Sequence, residues 1–313
     1  FLDGKIGCGH TSRYFILLDL FPPSSLDLFL FTLIVPTFLM ALAGNLSMVL
    51  LILLDAQLHT PMCFLLSQLS LIDFIYICTT VPKMASGFLF GNKSISFIGC
   101  WVQCFFFGTL AGSEGLFLMS VSYDHYVAIC FPLHYPIHMN RRVCMTAASW
   151  ILGSINSLAH TVYPFHLPYC RSQAINLFFC DVPAMLPLAC VDTWDEYMVL
   201  VSTSLFLLLP FFGITASYGW ILFAVFHMCS KEGKKKAFTT CSTHLMVVTF
   251  YYAPFVYTYL WPRILYSPAE DKILAIFYTI LTPMLNPFIY SLRNKKVLGT
   301  LVRLFDIFSF KKK

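Results

Sequence analysis

Seven apolar stretches dominate the chain, at about 26–54, 62–87, 97–129, 143–167, 196–227, 236–260 and 273–292. Each is long enough to cross a hydrocarbon layer about 30 Å thick, which takes roughly 20 residues of helix. The breaks between them, 55–61, 90–96, 131–142, 168–195, 229–235 and 261–272, carry proline, glycine, histidine or charge. Only 11% of the 313 residues are charged, whereas soluble domains average about 25%, so most of the surface must meet lipid. The expected fold is an all-α membrane protein, a seven-transmembrane helix bundle. It assigns 1–25 to a tail, 26–292 to the bundle and 293–313 to a short amphipathic membrane-surface helix with a basic tail. A separate soluble domain does not fit this length.

Basic residues near span ends favour the cytoplasm. With seven spans, Arg141, Arg142, Lys231, Lys234, Lys235, Lys236, Arg293, Lys295, Lys296, Arg303 and the closing lysines from Lys311 to Lys313 all fall at one end. The opposite loops hold Asp181, Asp192, Asp195, Glu196, Glu270 and Asp271. The expectation is a multi-pass plasma-membrane protein with its N-terminus extracellular and its C-terminus cytoplasmic. The first 25 residues mix charges with Gly7, Gly9, Pro22 and Pro23 and show no cleavage site of the secretory kind, so the first span is expected to target the chain. Beyond the last span, Val297, Leu298, Leu301, Leu304, Phe305 and Phe308 recur at three- and four-residue spacing among basic residues, the pattern of a helix lying on an anionic membrane face.

Cysteines sort by compartment. Cys100, Cys170, Cys180 and Cys190 fall on the oxidising side, the last three in the longest loop, and permit three pairings. Cys8 is left over, while Cys63, Cys78, Cys104, Cys130, Cys144, Cys229 and Cys241 read as ordinary thiols. Within the spans, Asp73 and Glu114 each need a reason, since a mid-membrane carboxylate costs about 2.5–3.5 kcal/mol even on the lenient scale. With Asn45 and Asn286 they form a polar centre that either shares a proton or holds a small cation such as sodium, or else is a static hydrogen-bonded network.

Enzyme signatures are missing, so no catalytic role is expected. The string from Gly112 to Gly115 lacks the spacing of a nucleophile elbow, and Gly7-Cys-Gly9 opens no strand–helix unit to hold a phosphate. The pairs Cys100–Cys104 and Cys241–His244 are too sparse for a structural metal. No cofactor is implied beyond the sodium candidate, and nothing calls for nucleic acid. A small ion transporter would also use Asp73 and Glu114, but the internal repeat that marks many such proteins is not seen.

Several strings at span ends together resemble the odorant (olfactory) receptors of the tetrapod type, a large family of rhodopsin-like G-protein-coupled receptors. They are Gly44-Asn45, LHTPMCFLLSQLSLID at 58–73, MSVSYDHYVAIC at 119–130, PLHYP at 132–136, Ser217-Tyr218, KAFTTCSTH at 236–244 and PMLNPFIYSLRN at 283–294. The resemblance extends from about Tyr14 to Phe305. It implies disulfides Cys100–Cys180 and Cys170–Cys190, a sodium site at Asp73 and Glu114, and partners in a volatile ligand, the lipid bilayer and a heterotrimeric G protein of the stimulatory class that raises cyclic AMP. Asp124, His125 and Tyr126 occupy the place of the family's Asp-Arg-Tyr, and with Tyr218 and Tyr290 they form the expected coupling switch.

Three positions depart from that pattern. His125 stands where the family carries arginine. Histidine is shorter and only partly charged near neutrality, so coupling is expected to be weaker or pH-dependent, and a receptor-like chain with impaired signalling is the alternative reading. Cys63 replaces a tyrosine, at an expected cost in packing. The N-terminal tail lacks the usual Asn-x-Ser/Thr sequon, which puts glycosylation and export in question.

A bundle of this kind is expected to hold its ligand between spans three, five, six and seven. Helical spacing then selects Phe107, Gly108, Ala111 and Gly112, then Ser202, Thr203 and Phe206, then Tyr251, Phe255 and Thr258, and finally Ile276 and Thr279. None of these is charged, so the expected ligand is small, neutral and mostly apolar, steered by hydroxyl groups. About ten heavy atoms at roughly half a kcal/mol each correspond to tens to hundreds of micromolar.

Overall fold

The computed structural model describes residues 14–18, 25–132, 139–167, 169, 172–190, 193–228, 230–260, 268–293, 297–300 and 303. Long helices account for nearly all of them: α1 (Ser25–Leu54), α2 (Pro61–Phe90), α3 (Phe97–Cys130), α4 (Met139–Phe165), α6 (Thr193–His227) and α7 (Lys231–Leu260). The last crossing is a composite of α8 (Pro268–Ile276), a π-helical turn (Phe277–Leu281) and α9 (Thr282–Arg293). Five of these runs are long and apolar enough to cross a membrane on length and composition alone. The other two, α4 and α7, carry basic residues in their opening turns and complete the seven. Several helices begin earlier than the apolar stretches because hydrogen bonding continues past the hydrocarbon edge into polar sequence.

Local chemistry sets the ends. Thr60 caps α2 by accepting from the Cys63 amide at 3.3 Å, with Pro61 in the first turn, where a missing N–H costs nothing. Gly91 closes that helix at φ 65°, a left-handed conformation that favours glycine. Ser96 caps α3 through the Gly99 amide at 3.0 Å.

Small residues bring α3 and α4 together. A Cβ on Gly153 would lie 2.2 Å from Ser113 Oγ and 3.0 Å from the Thr109 carbonyl, and one on Gly108 would lie 2.6 Å from Ser157 Oγ. The serines that fill this seam also bind across it, Ser157 Oγ donating to the Phe105 carbonyl at 2.7 Å and Ser113 Oγ to that of Ser149 at 3.2 Å.

Over one end of the bundle lies a small lid. The strand β1 (Tyr14–Leu17) sits between β2 (Ser94–Ser96), antiparallel, and β3 (Ala174–Ile175), parallel, with Phe15 opposite Ile95 and Leu17 opposite Ile175. Phe15 is fully buried against Phe97 and Tyr169. The long loop continues from β3 into a short helix, α5 (Val182–Met185), and is bound to α3 by the disulfide Cys100–Cys180. Cys190 is also disulfide-bonded; Cys170, its expected partner, lies outside the described residues, as do Cys8 and Cys229.

Of the expected surface helix, residues 297–300 and 303 are helical and the remainder lies outside the described residues. Val297 is buried, Thr300 donates to Asp55 Oδ2 at 2.8 Å, and Arg303 lies 3.5 Å from the same carboxylate. Hydrogen bonds from the Gln57 amide and Thr300 hold the Asp55 carboxyl below the ordinary range.

Candidate functional site

Beneath the lid is a cavity that, counted together with the open space at its mouth, holds about 700 Å³ of empty volume. Phe107, Gly108, Ala111, Gly112, Thr203, Phe206, Tyr251 and Phe255 line it as the sequence reading placed them. Ser202, Thr258, Ile276 and Thr279 do not, and neither does any other residue of the seventh crossing. The reason is an aromatic cluster: Tyr278 stacks on Phe255 at 5.5 Å and meets Phe107 and Phe179 at 6.1 and 6.4 Å, closing that side. The cavity opens instead toward α4, which supplies Asn156, Ser157, His160 and Thr161. The sequence reading did not include that face, although Ser149, Gly153, Ser157 and Thr161 mark it by their four-residue spacing.

The expectation that the site has nothing to pair with a charged ligand is also overturned. Asp181, Val182 and Pro183 enter the lining from the loop, because the disulfide at Cys180 draws the next residue into the bundle mouth. Asp181 is only 4% exposed. Burial, with a smaller contribution from the nearby negative charge of Asp271, raises its carboxyl to about 7 despite a hydrogen bond from the Val182 amide.

Tyr251 forms the floor. Its hydroxyl donates to the Ala111 carbonyl at 2.6 Å, and its ring meets Phe255 and Tyr252. A Cβ on Gly115 would stand 3.0 Å from that hydroxyl. A ligand resting on Tyr251 therefore touches α3 and α7 together. Thr279 spends its proton on Ala275 at 2.5 Å, and Ser157 spends its own on Phe105.

Deeper in the bundle, Asp73 accepts from Asn286 Nδ2 at 3.0 Å, and Asn45 Nδ2 donates to the carbonyls of Pro283 and Ala41. Glu114 is buried close enough to Asp73 for their charges to interact. The Oδ1 atoms of Asn45 and Asn286 are buried with no hydrogen-bond partner. Two carboxylates and two unsatisfied carbonyl oxygens make an all-oxygen donor set that fits a hard cation.

At the basic end, Asp124 and His125 are buried, and Tyr126 packs on Phe131. The Tyr218 hydroxyl lies 3.4 Å from His125 Nδ1 and 2.6 Å from His244 Nδ1. One hydroxyl has one proton to give, so one imidazole accepts while the other donates, and the rings hold opposite tautomers. Tyr290 joins both histidines in lining a second, partly open cavity. His244 belongs to the KAFTTCSTH string, but no sequence reading paired it with His125.

The geometry describes a membrane bundle with a lidded apolar cavity at one end and a buried polar latch at the other. The olfactory receptor family profile matches residues 33–307. Human olfactory receptors 2L5 and 2L8 are each 69% identical to this chain, the first covering 96% of the chain and 98% of its own length, the second 94% and 95%. Human olfactory receptor 2AJ1 is 51% identical over 93% of the chain and 90% of its own length. The chain belongs to the olfactory receptor family, G-protein-coupled receptors of the membrane and not enzymes.

Proposed function

We propose that this receptor binds small, mostly apolar volatile molecules in the lidded cavity and activates a stimulatory G protein that raises cyclic AMP. The observation that carries the reading is the contact of one cavity with α3, α4, α6 and α7 above Tyr251. The run of basic residues sets the opposite end in the cytoplasm and the lid outside. Signalling is a population shift, in which the ligand binds the active bundle more tightly than the resting one. It moves Tyr251 against Ala111, and the change passes through Tyr218 and Tyr290 to the latch at His125. The G protein then enters where the second cavity stands. Asp73, Glu114, Asn45 and Asn286 would hold a sodium ion, which would supply the positive charge that two neighbouring carboxylates need.

Tyr251→Ala is expected to abolish the cyclic AMP response to a panel of volatiles while leaving surface expression intact. A normal dose–response curve in that variant overturns the relay. A second reading, a receptor whose coupling is impaired, is favoured by His125 in the place of arginine. His125→Arg separates the two: a response that appears only in the arginine variant supports impairment.

A further inference from the structure

We propose that the cavity selects ligands with a hydrogen-bond-donating head group, small primary amines above all, through the carboxyl group of Asp181. The proposal rests on the receptor reading above and names the ligand class of the same cavity.

The first ground is position. Asp181 is buried, lines the cavity and follows the disulfide that fixes it beside α3. The second is a proton inventory of the cavity wall. Ser157 and Tyr251 already donate to backbone carbonyls, so toward the cavity their oxygens offer lone pairs. Asn156, His160, Thr161 and Thr203 of the same wall can donate as well as accept, so what separates an amine from an ether is the carboxyl of Asp181, which when ionised accepts from an N–H and offers an ether nothing.

Charge is the third ground. The titratable groups facing Asp181 are Cys104 on α3, His160 on α4 and Asp271 on α8. Among the described residues, the cavity lining includes no lysine or arginine. A buried carboxylate is stable when a cation pairs with it and hydrogen-bonds to it, and an alkylammonium head does both. Phe206, Leu207 and Phe255 offer an apolar wall for its alkyl tail.

The test uses the full chain purified in detergent, with octylamine, n-octanol and heptyl methyl ether, which match in size. Affinity is read from the ligand-induced rise in thermal midpoint, which needs no G protein. Octylamine is expected to bind about tenfold more tightly than the ether, with the alcohol between them, as a charge-assisted hydrogen bond predicts. Asp181→Asn is expected to remove the amine's advantage over the ether. Amine and ether binding alike, or an amine preference that survives in Asp181→Asn, overturns the proposal while the receptor reading stands. Binding of none of the three overturns the amine assignment, and the receptor reading is judged separately by the volatile panel with Tyr251→Ala. Should Asp181→Asn bind neither probe, Asp181→Glu decides: a retained amine preference supports the assignment, and equal binding overturns it.

Discussion

The hydroxyl oxygen of Tyr218 stands 2.6 Å from Nδ1 of His244, tying α6 to α7 at the basic end of the bundle. The same oxygen reaches His125 on α3 at 3.4 Å, so three crossings meet at one proton-sharing atom. A buried hydrogen bond of this kind contributes about 1 kcal/mol net, and more is lost when a partner is left unsatisfied.

His244→Phe removes the tie while keeping an aromatic ring in the space. If the latch holds the resting arrangement, losing about 1 kcal/mol from it raises the active population roughly fivefold. Ligand-free cyclic AMP is therefore expected to rise several-fold in cells expressing this variant at matched surface density. An unchanged baseline shows that the latch does not hold the resting state.

Gly153→Ala puts a methyl group where Ser113 Oγ, the Ser113 amide and the Thr109 carbonyl already stand within 2.2 to 3.0 Å. Two of those atoms are backbone, so α3 and α4 must separate. Overpacking typically costs about 1–3 kcal/mol. The variant is expected to melt several degrees lower in detergent and to lose ligand response, since the cavity is built on this seam. A matching change at Gly219, where no atom lies within 4 Å of the added carbon, should leave the melting point where it was.

Replacing Cys100 and Cys180 together by serine opens a loop closure of 80 residues. The chain-entropy relation assigns such a closure about 4–5 kcal/mol. The double variant is expected to reach the cell surface poorly and to show protease cleavage in the loop. The Cys104→Ser variant, which breaks no disulfide, serves as the comparison.

Asp181 makes stability depend on pH with a definite sign. Its folded-state carboxyl titrates near 7, against an ordinary value of 3.8, so the folded state binds the proton more tightly than the unfolded chain does. The resulting stabilisation is complete below the lower value and is lost as pH rises through the upper one, with an upper bound of a few kcal/mol. Thermal midpoints should fall from mildly acidic to neutral buffer in the unaltered chain. The slope should flatten in Asp181→Asn, and an equal slope in both chains excludes this carboxyl as its source.

The crossings were legible because lipid imposes a length and a composition that water does not. The α3 face of the cavity was legible for a related reason: Gly108, Ala111 and Gly112 recur at helical spacing and leave room for something. What fills that room was not legible. It depends on which neighbour α4 faces: Thr146, Ser149, Gly153, Ser157 and Thr161 recur at three- and four-residue spacing and mark its buried side, but only the tertiary arrangement sets that side against α3. The exclusion of Ile276 and Thr279 follows from rings contributed by α3, α7, the loop and the seventh crossing, a four-way contact that no local pattern encodes. Asp181 reads as an ordinary loop acid until the bond at Cys180 carries it inward. The meeting of His125 with His244 likewise needs the tertiary arrangement, since 119 positions separate them.

The place of β1 at the centre of its sheet sets an order of assembly. Tyr14–Leu17 emerges from the ribosome before any of the crossings, yet one neighbour, Ser94–Ser96, follows two crossings later and the other, Ala174–Ile175, only after four. A strand made before the crossings is thus completed only after the fourth, so a nascent chain carries it with one edge open until more than half of the sequence has been made. A receptor that stalls before its fourth crossing is complete leaves that edge exposed, where chaperones that bind extended chains can hold it back.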